Sequence, residues 1–95
     1  MKTKEPNWVP LTRELKAGDI VRTKVTKHDH PHCGEYLYGM SAGGRPHGEE
    51  WDVYGMGYVF DWDFIALARN DPYEAHLPPM RWNLKDIDEV LDDSC

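Results

Sequence analysis

Long apolar runs are missing from this chain: no stretch approaches the roughly 18 residues needed to cross a bilayer, and the opening MKTKEPNWVP lacks the apolar segment of a secretion signal. Those absences predict a soluble, cytoplasmic protein. Cysteine is scarce too. The two present, Cys33 and Cys95, cannot build the multi-bridge framework of small secreted domains and are expected to be free thiols. Basic residues are scarce in one half only. Residues 49–95 hold three Lys and Arg against twelve Asp and Glu, a net of −9, while residues 1–48 hold eight against five, a net of +3; together they give the −6 of the whole chain. A phosphate backbone is bound by neutralising it with Lys and Arg, so the C-terminal half is not expected to bind nucleic acid directly. It suits a basic partner instead. Internal repeats and low-complexity segments are also absent from the sequence.

What is present is a folded composition. Forty percent of the 95 residues are apolar and 12% aromatic, with four Trp and five Tyr, enough for the single modest core of one small domain. Residues 1–14 read as an arm whose Trp8 and Val9 dock on the body. In LKAGDIVRTKVTKH an Ala-Gly-Asp turn leads into a strand. Val21, Thr23 and Val25 share one face of it, and Arg22, Lys24 and Thr26 the other. EYLYGM is expected to be a second strand. SAGGRPHGEE reads as a loop, and EWDVYGMGYVF as one or two strands in which Gly55 and Gly57 mark a bulge or tight turn. DWDFIALAR should begin as a turn and end as a strand. Pro78 and Pro79 exclude helix from the connection that follows. The tail NLKDIDEVLDD predicts one amphipathic helix, with Asn83 as N-cap and Leu84, Ile87, Val90 and Leu91 on one stripe.

Short strands joined by Gly-rich turns fit a small barrel. The run LKAGDIVRTKV, a glycine-punctuated hairpin and DWDFIALA together resemble the small SH3-like barrels common in phage and bacterial proteins. Such barrels open with a GDxVR strand and close with an acidic-aromatic turn leading into a DFxxL strand. The resemblance covers residues 15–68 and implies structural parts for Gly18, Asp19, Val21, Asp63, Phe64 and Leu67. It implies a mainly β protein: an SH3-like barrel of four to five antiparallel strands over 15–70, followed by a connection and an acidic C-terminal helix over 71–95. The HDHPHC segment and the acidic tail are additions to that pattern.

Three constellations are candidates for function. The stretch HDHPHCGE places His28, His30, Cys33 and Glu35 within eight residues, supplying the imidazole, thiolate and carboxylate that zinc accepts. The competing reading is a solvated hairpin loop, because Arg22 and Lys24 share the strand face of His28 and oppose a cation. A second constellation is aromatic. Tyr54, Tyr58, Phe60, Trp62 and Phe64 fall on even positions and with Trp51 would form the barrel core, whereas Tyr36, Tyr38 and Trp62 would be the aromatics of an exposed groove. The third is the tail, where Asp86, Asp88, Glu89 and Asp92 would line the solvated face of the predicted helix.

Nothing in these patterns points to catalysis. Asp61 and Asp63 flank Trp62 at the spacing of a glycosidase pair, but hydrolysis also needs a cleft that a barrel this small rarely offers, and an acidic turn before the last barrel strand explains them better. Cys33 and His32 are adjacent, which on a strand sends them to opposite faces. The expectation is a small acidic protein-binding module without cofactor, of the kind phages and mobile elements use to block a basic, nucleic-acid-binding host protein. The alternative is a metal-binding protein centred on residues 28–35.

Overall fold

The computed structural model describes residues 6–11, 15–43 and 48–92. Among them the chain runs β1 (Trp8–Pro10), β2 (Ile20–Lys24), β3 (Tyr36–Ser41), β4 (Glu50–Gly57), α1 (Trp62–Asn70), β5 (Pro79–Asn83), a single 3-10 turn (Leu84–Asp86) and β6 (Glu89–Leu91). The six strands form one antiparallel sheet in the order β1-β6-β2-β3-β4-β5. The protein is therefore mainly β, with one short helix among the described residues. Strands from the arm, the body and the tail all enter the same sheet. No described helix is long and apolar enough to cross a membrane.

The sequence explains most of the meander. Gly18 takes φ +89°, and the Asp19 carboxylate accepts from the Lys16 amide at 2.7 Å, which turns the chain into β2 as expected. β2 and β3 pair from Ile20↔Met40 to Lys24↔Tyr36. The ladder continues one step further, with Val25 N donating to Glu35 O at 2.9 Å. A bulge between β3 and β4 falls where the glycines predicted it: Tyr38 opposes Gly57 and Gly39 opposes Gly55, leaving Met56 as the extra residue. Gly39 is glycine for space, since a Cβ there would lie 2.5 Å from Val53 and 3.0 Å from the Trp82 ring.

Both faces of the sheet are covered. Inside, Leu15, Val21, Trp51, Val53, Trp82, Ile87 and Val90 form one core. Outside, Ile65 and Ala68 of α1 pack with Ile20, Met40 and Leu91. Successive residues Ile20 and Val21 are both 0% exposed, one in each core. The inner face also holds the buried Ser41, whose hydroxyl oxygen accepts from the Trp51 indole N–H at 2.7 Å.

Two expected elements differ. DWDFIALAR is helix α1 and ends in no strand. Asp61 caps it by accepting from the Asp63 amide at 2.9 Å, and Ile65 and Ala68, three residues apart, bury together on one side. The cap and the good helix formers Ala66, Leu67 and Ala68 balance the aromatic alternation that suggested a strand, and burial of Ile65 and Ala68 against Ile20, Met40 and Leu91 decides for helix. Conversely, the C-terminal helix is absent. Asn83 does cap, accepting from the Lys85 amide at 2.9 Å, but the helix stops after one 3-10 turn. Asp88 N then donates to Arg22 O at 3.1 Å, and β6 completes the sheet between β1 and β2. Val90 and Leu91 are adjacent and point into opposite cores, which only a strand permits.

Candidate protein-interaction surface

Away from α1, the outer face of the sheet is aromatic. The alternation of β2 and β3 sends Arg22, Tyr36 and Tyr38 to this side, and the β1–β6 register places Trp8 beside them. The Arg22 guanidinium lies 4.3 Å from the centre of the Trp8 ring and 3.9 Å from that of Tyr36. Its Nε and Nη2 both donate to one Glu89 carboxylate oxygen, at 2.9 and 2.6 Å, from the neighbouring strand. This pair is partly shielded, with the two side chains 17% and 28% exposed, so water screens it less than it would a surface pair.

The chain leaving β4 extends the patch. Gly57, at φ +87°, ends the strand, and Phe60 then folds back onto Trp8 at 5.7 Å and Tyr38 at 5.8 Å between ring centres. Trp8 and Tyr38 are themselves 5.7 Å apart, and Trp62 meets Phe60 edge-on at 5.0 Å. The result is a continuous, half-buried surface of Trp8, Tyr36, Tyr38, Phe60 and Trp62 around one fixed guanidinium. Beside it, His32 stacks flat on Tyr58 at 3.8 Å and 11°.

Tyr36, Tyr38 and Trp62 lie on this surface, half-buried where the groove reading expected them exposed, with Phe60 between Tyr38 and Trp62. The rival core reading needs correction. Of its six aromatics only Trp51 is buried, because β4 ends at Gly57 and the even positions beyond it no longer share a strand face. Trp82 is the second buried aromatic and was not anticipated. Phe60, expected in the core, and Arg22, read only as a charge on the polar face of its strand, belong to the surface. Their signal is long-range pairing, which no local pattern carries.

The acidic residues do not form one solvated helix face, since there is no helix there. Asp86 is exposed on the 3-10 turn, Asp88 accepts from the Lys24 amide at 2.8 Å, and Glu89 is committed to Arg22. The half-buried Asp92 belongs to the β1 side, where its amide donates to Asn7 O at 2.8 Å. The segment of the metal alternative differs from the straight strand that alternate histidines suggested. Residues 28–35 form a chain of tight turns rather than a straight strand, with His30 N donating to Lys27 O and Cys33 N to His30 O, each at 3.1 Å. His28, Cys33 and Glu35 are exposed and His30 half-buried. His30 Nδ1 accepts from the His32 amide at 3.0 Å, and His32 Nδ1 lies 3.0 Å from Glu35. Among the described residues no three His, Cys, Asp or Glu side chains converge on a metal position.

Asp61 and Asp63 sit exposed at the helix start, where the Asp61 carboxylate accepts from the Asp63 amide as an acidic turn would. Among the described residues, depressions elsewhere include an open cleft of about 360 Å³ between Gly18, Ser41 and Arg69, and a pocket of about 110 Å³ beside Tyr73. Cys33 is a free, exposed thiol, and Cys95 lies outside the described residues. Compared with protein-family models, curated proteins and solved structures, the chain finds no match.

Proposed function

We propose that this chain is a non-catalytic protein-binding module built on a small SH3-like barrel. The observation that carries the reading is the half-buried aromatic surface around Arg22. Trp, Tyr and Arg dominate binding energy at protein interfaces, and here their rings and guanidinium are already held in place by one another and by Glu89, so little ordering cost remains for binding. The barrel reading is supported by the strand order, a β2-β3-β4-β5 meander whose last strand, β6, returns beside β2. In its most specific form, the module is a cytoplasmic phage or mobile-element accessory protein that blocks a basic, nucleic-acid-binding host protein. The net charge of −9 in residues 49–95 supports a basic partner.

The test is retention of partners from host extract on immobilised protein, comparing the wild type with Tyr36→Ala and Tyr38→Ala. A basic protein held by the wild type and lost from both variants is the expected result. Its association rate should fall steeply with salt, as the Debye length shrinks from about 10 Å at 0.1 M to about 3 Å at 1 M. A partner held equally by all three proteins would remove the aromatic surface from the function.

A further inference from the structure

We propose that the free edge of β5 is a second contact, which takes up an extended, lysine- or arginine-bearing strand of the partner. The proposal rests on the reading above that the partner is basic, and it adds where and in what conformation that partner is gripped. Among the described residues β5 is the last strand of the sheet, with β4 as its neighbour on one side. Gly55 N donates to Pro78 O at 3.0 Å and Leu84 N to Glu49 O at 2.8 Å. Given the register Val53↔Met80 and Trp51↔Trp82, the even residues of β5 direct their main chain toward β4. The Arg81 and Asn83 amides and the Pro79 and Arg81 carbonyls therefore face away from the sheet.

The two edges of the sheet are treated differently. β1 is three residues long and ends in Pro10, with Pro6 just before it, the devices that blunt an edge against pairing. β5 has five residues and a proline only at its first position. Arg81 does not guard it with a free charge, because its guanidinium lies 3.4 Å from Asp52 on β4. Apolar surface accompanies the open edge. Met80 is 43% exposed and Tyr73 89%, and the pocket of about 110 Å³ between Tyr54, Tyr73, Leu77 and Pro79 offers room for a side chain of an incoming strand.

Charge selects the occupant. Glu50 lies opposite Asn83, Asp86 follows the strand in the 3-10 turn, and Glu74 belongs to the loop that lines the pocket at the Pro79 end. All three are exposed, and none meets a cation among the described residues. An added strand bearing Lys or Arg gains main-chain hydrogen bonds from the edge and neutralises these carboxylates. An acidic strand gains only the first.

The experiment titrates the isotope-labelled full chain with two short synthetic peptides, one alternating lysine and valine and the other glutamate and valine, and follows backbone amides by NMR. The lysine peptide is expected to shift the Arg81 and Asn83 amides and slow their exchange. Arg81→Pro removes an outward N–H without touching the β4 ladder and should weaken the peptide about tenfold. Met80→Lys, an exposed change that leaves the ladder whole, should weaken it in the same direction. The proposal is overturned if neither peptide binds, if both bind equally, or if binding ignores both variants. A dimer in sedimentation that Arg81→Pro abolishes also overturns it, because the occupant is then a second copy. The two readings fail separately. A captured partner lost with Tyr36→Ala but unchanged with Arg81→Pro sinks the edge proposal alone, while a lysine peptide seated on β5 with tyrosine variants that lose nothing sinks only the aromatic surface.

Discussion

The inner and outer faces of this sheet solve the same problem with different materials. The inner face closes with side chains of the sheet and its flanking turns, filling the space with Trp51, Trp82, Leu15, Ile87 and three valines and tying its buried hydroxyl to an indole. The outer face cannot close itself. Half of it is covered by α1 through Ile65 and Ala68, and the other half ends in aromatic rings and an Arg22–Glu89 pair still touched by water. The difference separates two tasks: dry, shape-matched packing stabilises the fold, while partly wet aromatic area is what remains available to a partner.

That contrast can be broken most forcefully at Trp82, which is 6% exposed and packs against the space left by Gly39. Trp82→Ala should cost about 3–5 kcal/mol, measured by denaturant unfolding, a large share of the stability of so small a domain. A loss no greater than that of a surface change would show that the inner face does not hold the fold. Ile65→Ala loosens the helix lid on the outer face and should cost about 2–3 kcal/mol, at the low end for aliphatic truncation because a single layer covers the site. Its sharper signature is native-state hydrogen exchange, with α1 amides losing protection before those of β2–β4. Equal loss across both would mean that the two cores unfold as one. Glu89→Gln, at the aromatic end, should cost about 1 kcal/mol, since it removes the charge but can retain one hydrogen bond to Arg22. Trp8 fluorescence should move with it, as the guanidinium stacked on that ring is released. An unchanged spectrum would detach Arg22 from the aromatic surface.

Local chemistry made several parts legible from residues alone. The Gly18–Asp19 turn, the β2 and β3 strands, the Gly55/Gly57 bulge and the Asn83 cap each depend on backbone freedom, side-chain alternation or a hydrogen bond within three residues, and each was found in its expected place. Docking of Trp8 and Val9 was legible too, because an apolar pair in a charged arm has little other use; that it docks as a sheet strand was not. The candidate surface was half legible. Tyr36 and Tyr38 follow from the alternation of β3, but Phe60 and Arg22 join them through residues far apart in the chain.

What the sequence determined by itself is a small, mainly β chain with an acidic second half, and the turns and bulges that punctuate it. What only the tertiary structure decided is the state of the two segments whose local signals were evenly matched. Residues 62–70 became helix because the outer faces of β2, β3 and β6 needed an apolar cover, which Ile65 and Ala68 supply from one side of a helix. Residues 89–91 became strand because β2 offered an open ladder and because Val90 and Leu91 had to reach opposite cores. A cap governs only the first turn of a helix, whereas the burial of both sides of a strand is a long-range gain, and for the tail that gain prevailed.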